Sequence, residues 1–212
     1  MFKAIVSNGF LQRIIFASIL LAVGNAVMAT EEPAYTVVKA YDTFEVREYA
    51  PYAVAQTTVA GDADEAANQG FRILAGYIFG KNKGERKIEM TAPVTQAVSE
   101  PVKIAMTAPV TQSPASSGWL IEFAMPKGMT VATLPEPIDP RITLRELPAR
   151  KFAVIRYSGL WSQSSYESHL AILLNGLKAQ GIAYRGEPIW SRYDAPWTLW
   201  FLRRNEIWLA LD

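Results

Sequence analysis

The chain has 212 residues, half of them hydrophobic, with 21 Lys and Arg against 20 Asp and Glu, one His and no Cys. Without Cys there is no disulfide staple, thiol nucleophile or cysteine metal site, and one His cannot build a histidine metal cluster. The near-neutral charge gives no footprint for a nucleic-acid partner, so stability must come from a packed core, for which this length is ample.

At the N-terminus, Lys3 and Arg13 precede the apolar run IIFASILLAVGNAVMA, which ends in small residues before the acidic TEEP. This reads as a secretory signal peptide over residues 1–29, with Val27 and Ala29 satisfying the small-residue rule for cleavage. The run is shorter than the roughly 20 apolar residues of a membrane span, and Asn25 interrupts it. Contact with a membrane is therefore expected only if the leader is retained. Removing Lys3 and Arg13 from the 21 basic residues leaves 19 against 20 acidic ones, a net charge near −1. The expected mature chain is a single domain over residues 30–212, periplasmic in a two-membrane bacterium and secreted otherwise.

Residues 35–60 alternate in three short runs, YTVVKAY, TFEVREY and YAVAQTTVA, broken by Asp42 and by Ala50-Pro51. These are expected strands. DADEAANQGFRILAGYIFG follows as a helix, with Asp62 and Glu65 as a capping box and Gly80 as the left-handed stop. Ala67, Phe71, Leu74 and Ile78 recur at helical spacing as one buried stripe. WLIEFAMP is a further strand, and residues 127–140, rich in Pro, read as a connector.

The second half runs ITLRELP, KFAVIRYSG, then the helix SSYESHLAILLNGLKAQG, with Ser164 and Glu167 as its capping box and Gly181 as its stop. TLWFLRR and EIWLALD read as its closing strands. REYAPYAV at residues 47–54 matches RELPARKFAV at residues 145–154 with a two-residue insertion. The plan of two strands, helix and two strands therefore occurs twice. The expected fold is α+β, a pseudo-twofold distorted barrel of two antiparallel four-stranded sheets flanked by two helices.

IEMTAPVTQ at residues 88–96 returns as IAMTAPVTQ at residues 104–112. Met and Val fill apolar gaps, Thr favours extended backbone, and Pro belongs at a strand start, edge or bulge, so each copy is expected to be a short strand. The motifs FEVREY, YIFGKN with KIEMTAPV, FAMP, LPEP and RRNEIWLALD, in that order from Tyr35 to the C-terminus, resemble the SOUL haem-binding family. The resemblance implies the barrel just described, similar to bacterial effector-binding domains, and a haem or other tetrapyrrole ligand. It places the family segment at residues 88–96, leaving the second copy as an extra hairpin arm before Trp119.

What the resemblance implies at the site is specific. Where some members carry an axial His, this chain has Glu48, a poor substitute for imidazole. Other members hold the ring against the first helix, with basic side chains for the propionates at positions matching Asn68 and Gly76. Arg72 is the cation on that helix. Phe71, Ala75 and Ile78, with Gly76 allowing close approach, would form an apolar platform for the ring. Core packing is the competing reading of that stripe, as it is for the six Trp, all of which follow residue 118. His169, Tyr49, Met90 and Met106 are the remaining candidate iron ligands. The implied partner is a small hydrophobic ring.

Enzyme signatures are lacking. A Ser-His-Asp triad would need His169, but no G-x-S-x-G elbow occurs, and GKNKG at residues 80–84 is a turn after a helix cap, not a phosphate cradle. Glu48 and Glu146 are equivalent carboxylates, expected to pair with Arg47 and Arg145. The expected protein is a non-enzymatic carrier or buffer. The alternatives are an envelope structural or interaction protein on the same fold and, from kinship with effector-binding domains alone, a hydrolase of small hydrophobic molecules.

Overall fold

A computed structural model describes residues 31–84, 101–194 and 197–212. Its elements, in chain order, are β1 (Tyr35–Ala40), β2 (Glu45–Tyr49), β3 (Tyr52–Val59), α1 (Ala63–Ile78), β4 (Val110–Ala115), β5 (Gly118–Ala124), β6 (Thr143–Leu147), β7 (Arg150–Tyr157), α2 (Gln163–Gln180), β8 (Tyr184–Arg192) and β9 (Asn205–Leu211). Both helix starts follow from capping chemistry. The Asp62 carboxylate accepts the Glu65 amide at 2.8 Å, and Gly80 follows α1 at φ +113°. At α2 the cap is Ser162, whose hydroxyl accepts the Ser165 amide at 3.2 Å, and not Ser164 as the sequence suggests. Ser164 lies inside the first turn, where its carbonyl accepts the Ser168 hydroxyl at 2.8 Å. Gly181 ends α2 in the left-handed conformation.

All strand pairs are antiparallel, in the order β1-β2-β7-β9-β8-β4-β5-β3-β6. The two expected four-stranded sheets are β2-β7-β9-β8 and β6-β3-β5-β4. They are continuous through the β4·β8 pair, where Val110 faces Arg192, and β1 adds an edge strand, so one nine-stranded sheet curls into a half-barrel. The first strand of each repeat crosses into the other repeat's sheet. The equivalent registers Tyr49↔Arg150 and Tyr52↔Leu147 show the pseudo-twofold directly.

That symmetry corrects three readings. The two hairpins have equal two-residue turns, so the insertion lies between β7 and Ser162 and not within RELPARKFAV. The second MTAPVTQ copy is no extra arm: its Val110 opens β4, the counterpart of β8, while the first copy lies outside the described residues. TLWFLRR is not a strand either. Trp200–Leu202 form a single 3-10 turn, and β8, with Gly186 at positive φ and a register shift between Arg185 and Ile189, supplies the strand instead.

The helices cover one face of the sheet. α1 packs on β3 and β5, burying Leu74, Tyr77 and Ile78 against Ile121 and Phe123. α2 packs on β7 and β9, burying Leu173 and Leu177 against Ile207 and Leu209. The alternate side chains of the same strands point to the opposite, inner face, where Tyr49, Phe152, Val154 and Trp208 form a third cluster. The connector packs as well: Leu134 is fully buried, and the Pro135 carbonyl accepts the Tyr77 hydroxyl at 2.8 Å.

Candidate functional site

The sequence-derived stripe on α1 divides in two. Ala75 and Ile78 lie in the core, and Phe71 is half-buried against Phe123 with ring centroids 5.4 Å apart. They therefore do not present a free platform for a ring. The reason is the spacing itself: a 3.6-residue apolar stripe on a helix lying over a sheet is the seam between them. Asn68 is exposed. Arg72 and Gly76 line an open groove of about 280 Å³ between α1 and the end of the connector, with Gln69, Ile73, Lys81 and Arg141.

Lys81 and Arg141 were not found from the sequence. Lys81 follows the helix stop, and its amide donates to the Gly76 carbonyl at 2.9 Å. Its methylene stem crosses Gly76, where a Cβ would stand 3.1 Å from the Lys81 Cδ. Arg141 grips Asp139 through Nε at 2.9 Å and Nη2 at 2.6 Å, and these hydrogen bonds hold the Asp139 carboxyl down to about 2. Arg72 and Lys81 are exposed. Asn82, of the YIFGKN motif, fixes this end of the groove. Its amide nitrogen donates to the Tyr77 and Val102 carbonyls, and its oxygen accepts the Val102 and Gly84 amides.

Among the described residues, no candidate iron ligand lines this groove. His169 stacks on Tyr157 at 4.0 Å, and its Nδ1 is 2.6 Å from the Ser165 carbonyl on α2. Tyr49 is buried beside Trp208 at 4.8 Å, and burial raises its phenol well above the usual range. Glu48 and Glu146 are exposed, and Arg47 turns to the inner face instead of pairing with Glu48. Met106 is exposed in the loop before β4, and Met90 lies outside the described residues. No group of three or more His, Cys, Asp or Glu suited to a metal occurs among the described residues. Among the described residues the groove offers cations and an apolar wall from Ile73 and Ile142, and no iron ligand.

A second concavity opens on the inner face, a cleft of about 160 Å³ with aromatic walls from Tyr52, Phe152 and Trp208. Its polar groups are Glu122, Arg145, Arg150, Thr111 and Ser113. Burial raises the Glu122 carboxyl; the Thr111 hydroxyl at 3.4 Å and the more distant Arg145 and Arg150 pull the other way. Sequence reading passed over this cleft because its lining comes from eight strands scattered along the chain.

The model of the SOUL heme-binding protein family matches residues 30–210. "Heme-binding protein 2" of Mus musculus is 30% identical over 196 residues, which cover 89% of this chain and 90% of that protein. The solved EcmrR C-terminal domain is similar in fold with a TM-score of 0.52 at 11% identity, covering 84% of this chain and 98% of that one. A hydrolase from Listeria innocua is similar at TM-score 0.54 and 11% identity, covering 82% and 94%. At such identities the two solved structures speak for the fold alone, whereas the family match spans nearly the whole of the described domain and includes the α1 groove: this chain belongs to the SOUL heme-binding protein family.

Proposed function

We propose that the protein binds haem or another tetrapyrrole without chemical turnover, holding the ring in the α1 groove, and that it serves as a carrier or buffer in the cell envelope. The supporting observation is the gathering of Arg72, Lys81 and Arg141 around Gly76. Gly76 lets the Lys81 stem lie close against α1, and exposed cations suit propionate groups by charge-assisted hydrogen bonds. Asp139 already offsets Arg141, so Arg72 and Lys81 carry the recognition. The groove, at about 280 Å³, is open, so a large ring can project from it, whereas the inner cleft is smaller, at about 160 Å³, and more enclosed. The leader expected over residues 1–29 supports export, and the matched family and its heme-binding relatives support the ligand class.

Titration with haemin and with iron-free protoporphyrin, followed by the Soret band and Trp emission, tests this reading. Both rings should bind one to one with similar affinity, because no iron ligand is used. Changing Arg72→Glu together with Lys81→Glu should weaken both about tenfold or more. Haemin binding alone, lost in His169→Ala, would point to axial ligation. Sensitivity to Arg150→Glu and not to Arg72→Glu would move the ring to the inner cleft. No saturable binding of either ring would leave an interaction protein on the same fold.

A further inference from the structure

The pseudo-twofold exposes an addition. In the first repeat, β4 and β5 are joined by two residues, whereas in the second, β8 and β9 are joined by residues 193–204. The fold needs only the short turn. The extra chain carries Trp197, Leu199, Trp200, Phe201 and Leu202, exposed at 86, 57, 55, 52 and 64%. Leu160, from the insertion before α2, is 57% exposed and adjoins them, since the Gly159 amide donates to the Trp200 carbonyl at 3.1 Å. Both departures from symmetry thus build one apolar tip.

The base of this tip is fastened. Arg203 Nε donates to the Thr198 carbonyl at 2.8 Å and its guanidinium lies 4.4 Å from the Trp161 ring, while the Arg204 amide donates to Asp194 at 2.6 Å. The apolar side chains are held outward although a collapsed arrangement would remove them from water. The described chain also begins here. Glu32 pairs with Arg204 at 2.6 Å, and the Glu31 side chain accepts the Lys127 amide at 2.7 Å. The 30 residues before Glu31, with their apolar run, therefore join the domain beside the residue that ends the tip.

We infer that this tip docks on a lipid bilayer, inserting Trp and Leu side chains at the boundary of headgroups and acyl chains. A nearly free-standing Trp197 suits a fluid medium that closes around it, where a protein partner would need a matching pocket. Trp, Phe and Leu exposed together on one loop are the composition of an interfacial anchor. No helix among the described residues is long and apolar enough to cross a membrane. The Glu32–Arg204 pair sets the start of the described chain beside the tip, so an N-terminal run that is retained would leave the domain on that side. This inference stands independently of the tetrapyrrole reading.

The test uses the full chain with vesicles of phosphatidylcholine, alone or with a minority of phosphatidylglycerol, carrying brominated acyl chains as quenchers. Trp emission should shift to the blue and be quenched on vesicles, and Leu199→Asp with Phe201→Asp should cut that quenching about tenfold at fixed lipid. Trp197→Phe with Trp200→Phe should remove the quenched emission while co-sedimentation persists. Far-UV circular dichroism checks that these surface variants fold. Co-sedimentation without quenching would mean that the N-terminal run binds alone and would overturn the inference. So would quenching unchanged by the Asp variant, or a concentration-dependent blue shift without vesicles, which would assign the tip to a second copy of the chain.

Discussion

Glu206 accepts hydrogen bonds from Arg47, Arg204, Tyr193 and Trp208, all between 2.7 and 3.1 Å, while Glu122 on the same inner face has, among the described residues, the Thr111 hydroxyl at 3.4 Å. The first is a buried charge fully compensated, and removing Arg47 or Arg204 would strand it. The second is a carboxyl whose charged form burial disfavours. Its raised folded-state affinity for a proton contributes stability in acid, and that contribution is lost as pH rises through the carboxylate range and past the folded value. Glu122→Gln should therefore be more stable than the parent near about pH 7, with the difference closing below about pH 4. Urea denaturation at both pH values measures it; equal differences at the two would sink the idea.

Among the elements, α1 shows what a glycine can decide. A Cβ on Gly70 would stand 2.4 Å from Ile121 Cγ1, so the close approach of α1 to β5 depends on its absence. Gly70→Ala should cost about 1 to 3 kcal/mol by overpacking. Gly76→Ala meets only the mobile Lys81 stem and should be neutral, or stabilising by up to about 1 kcal/mol from helix propensity. Thermal melts of the two variants separate these outcomes. The same helix shows what sequence makes legible. Its caps and buried seam were readable because both are local, but the apolar seam was also what the ring platform was drawn from, and burial removed Ala75 and Ile78 from that role. Lys81 and Arg141 join the groove only through the turn after α1 and the fold of the connector, which no local pattern reports. β8 was hidden by Gly186 and Pro188 and its bulge. The tip mimicked a strand because an apolar run looks alike whether it is buried or displayed.

For the molecule as a whole, the doubled plan was legible because each repeat carries an R-E hairpin and a capped helix. The exchange of first strands was not, because pairing partners are chosen by tertiary contacts. The exchange has a thermodynamic corollary. β2 completes the sheet under α2, and β6 completes the sheet under α1, so neither half retains its full sheet alone. Denaturation should give one transition, with Trp emission and far-UV circular dichroism coincident, despite two helices and two half-sheets. Two separated transitions would show the halves to be independent.

The crossing strands also impose a timetable. Glu45 of β2 pairs with Val154 of β7, so β2 waits for a partner about a hundred residues further along the chain. When the chain emerges N-terminus first, whether from a ribosome or through a membrane channel, its leading half can shape a hairpin and a helix but cannot close its sheet. A polypeptide of this topology stays threadable until its trailing half has followed, so delayed closure is written into the strand order itself.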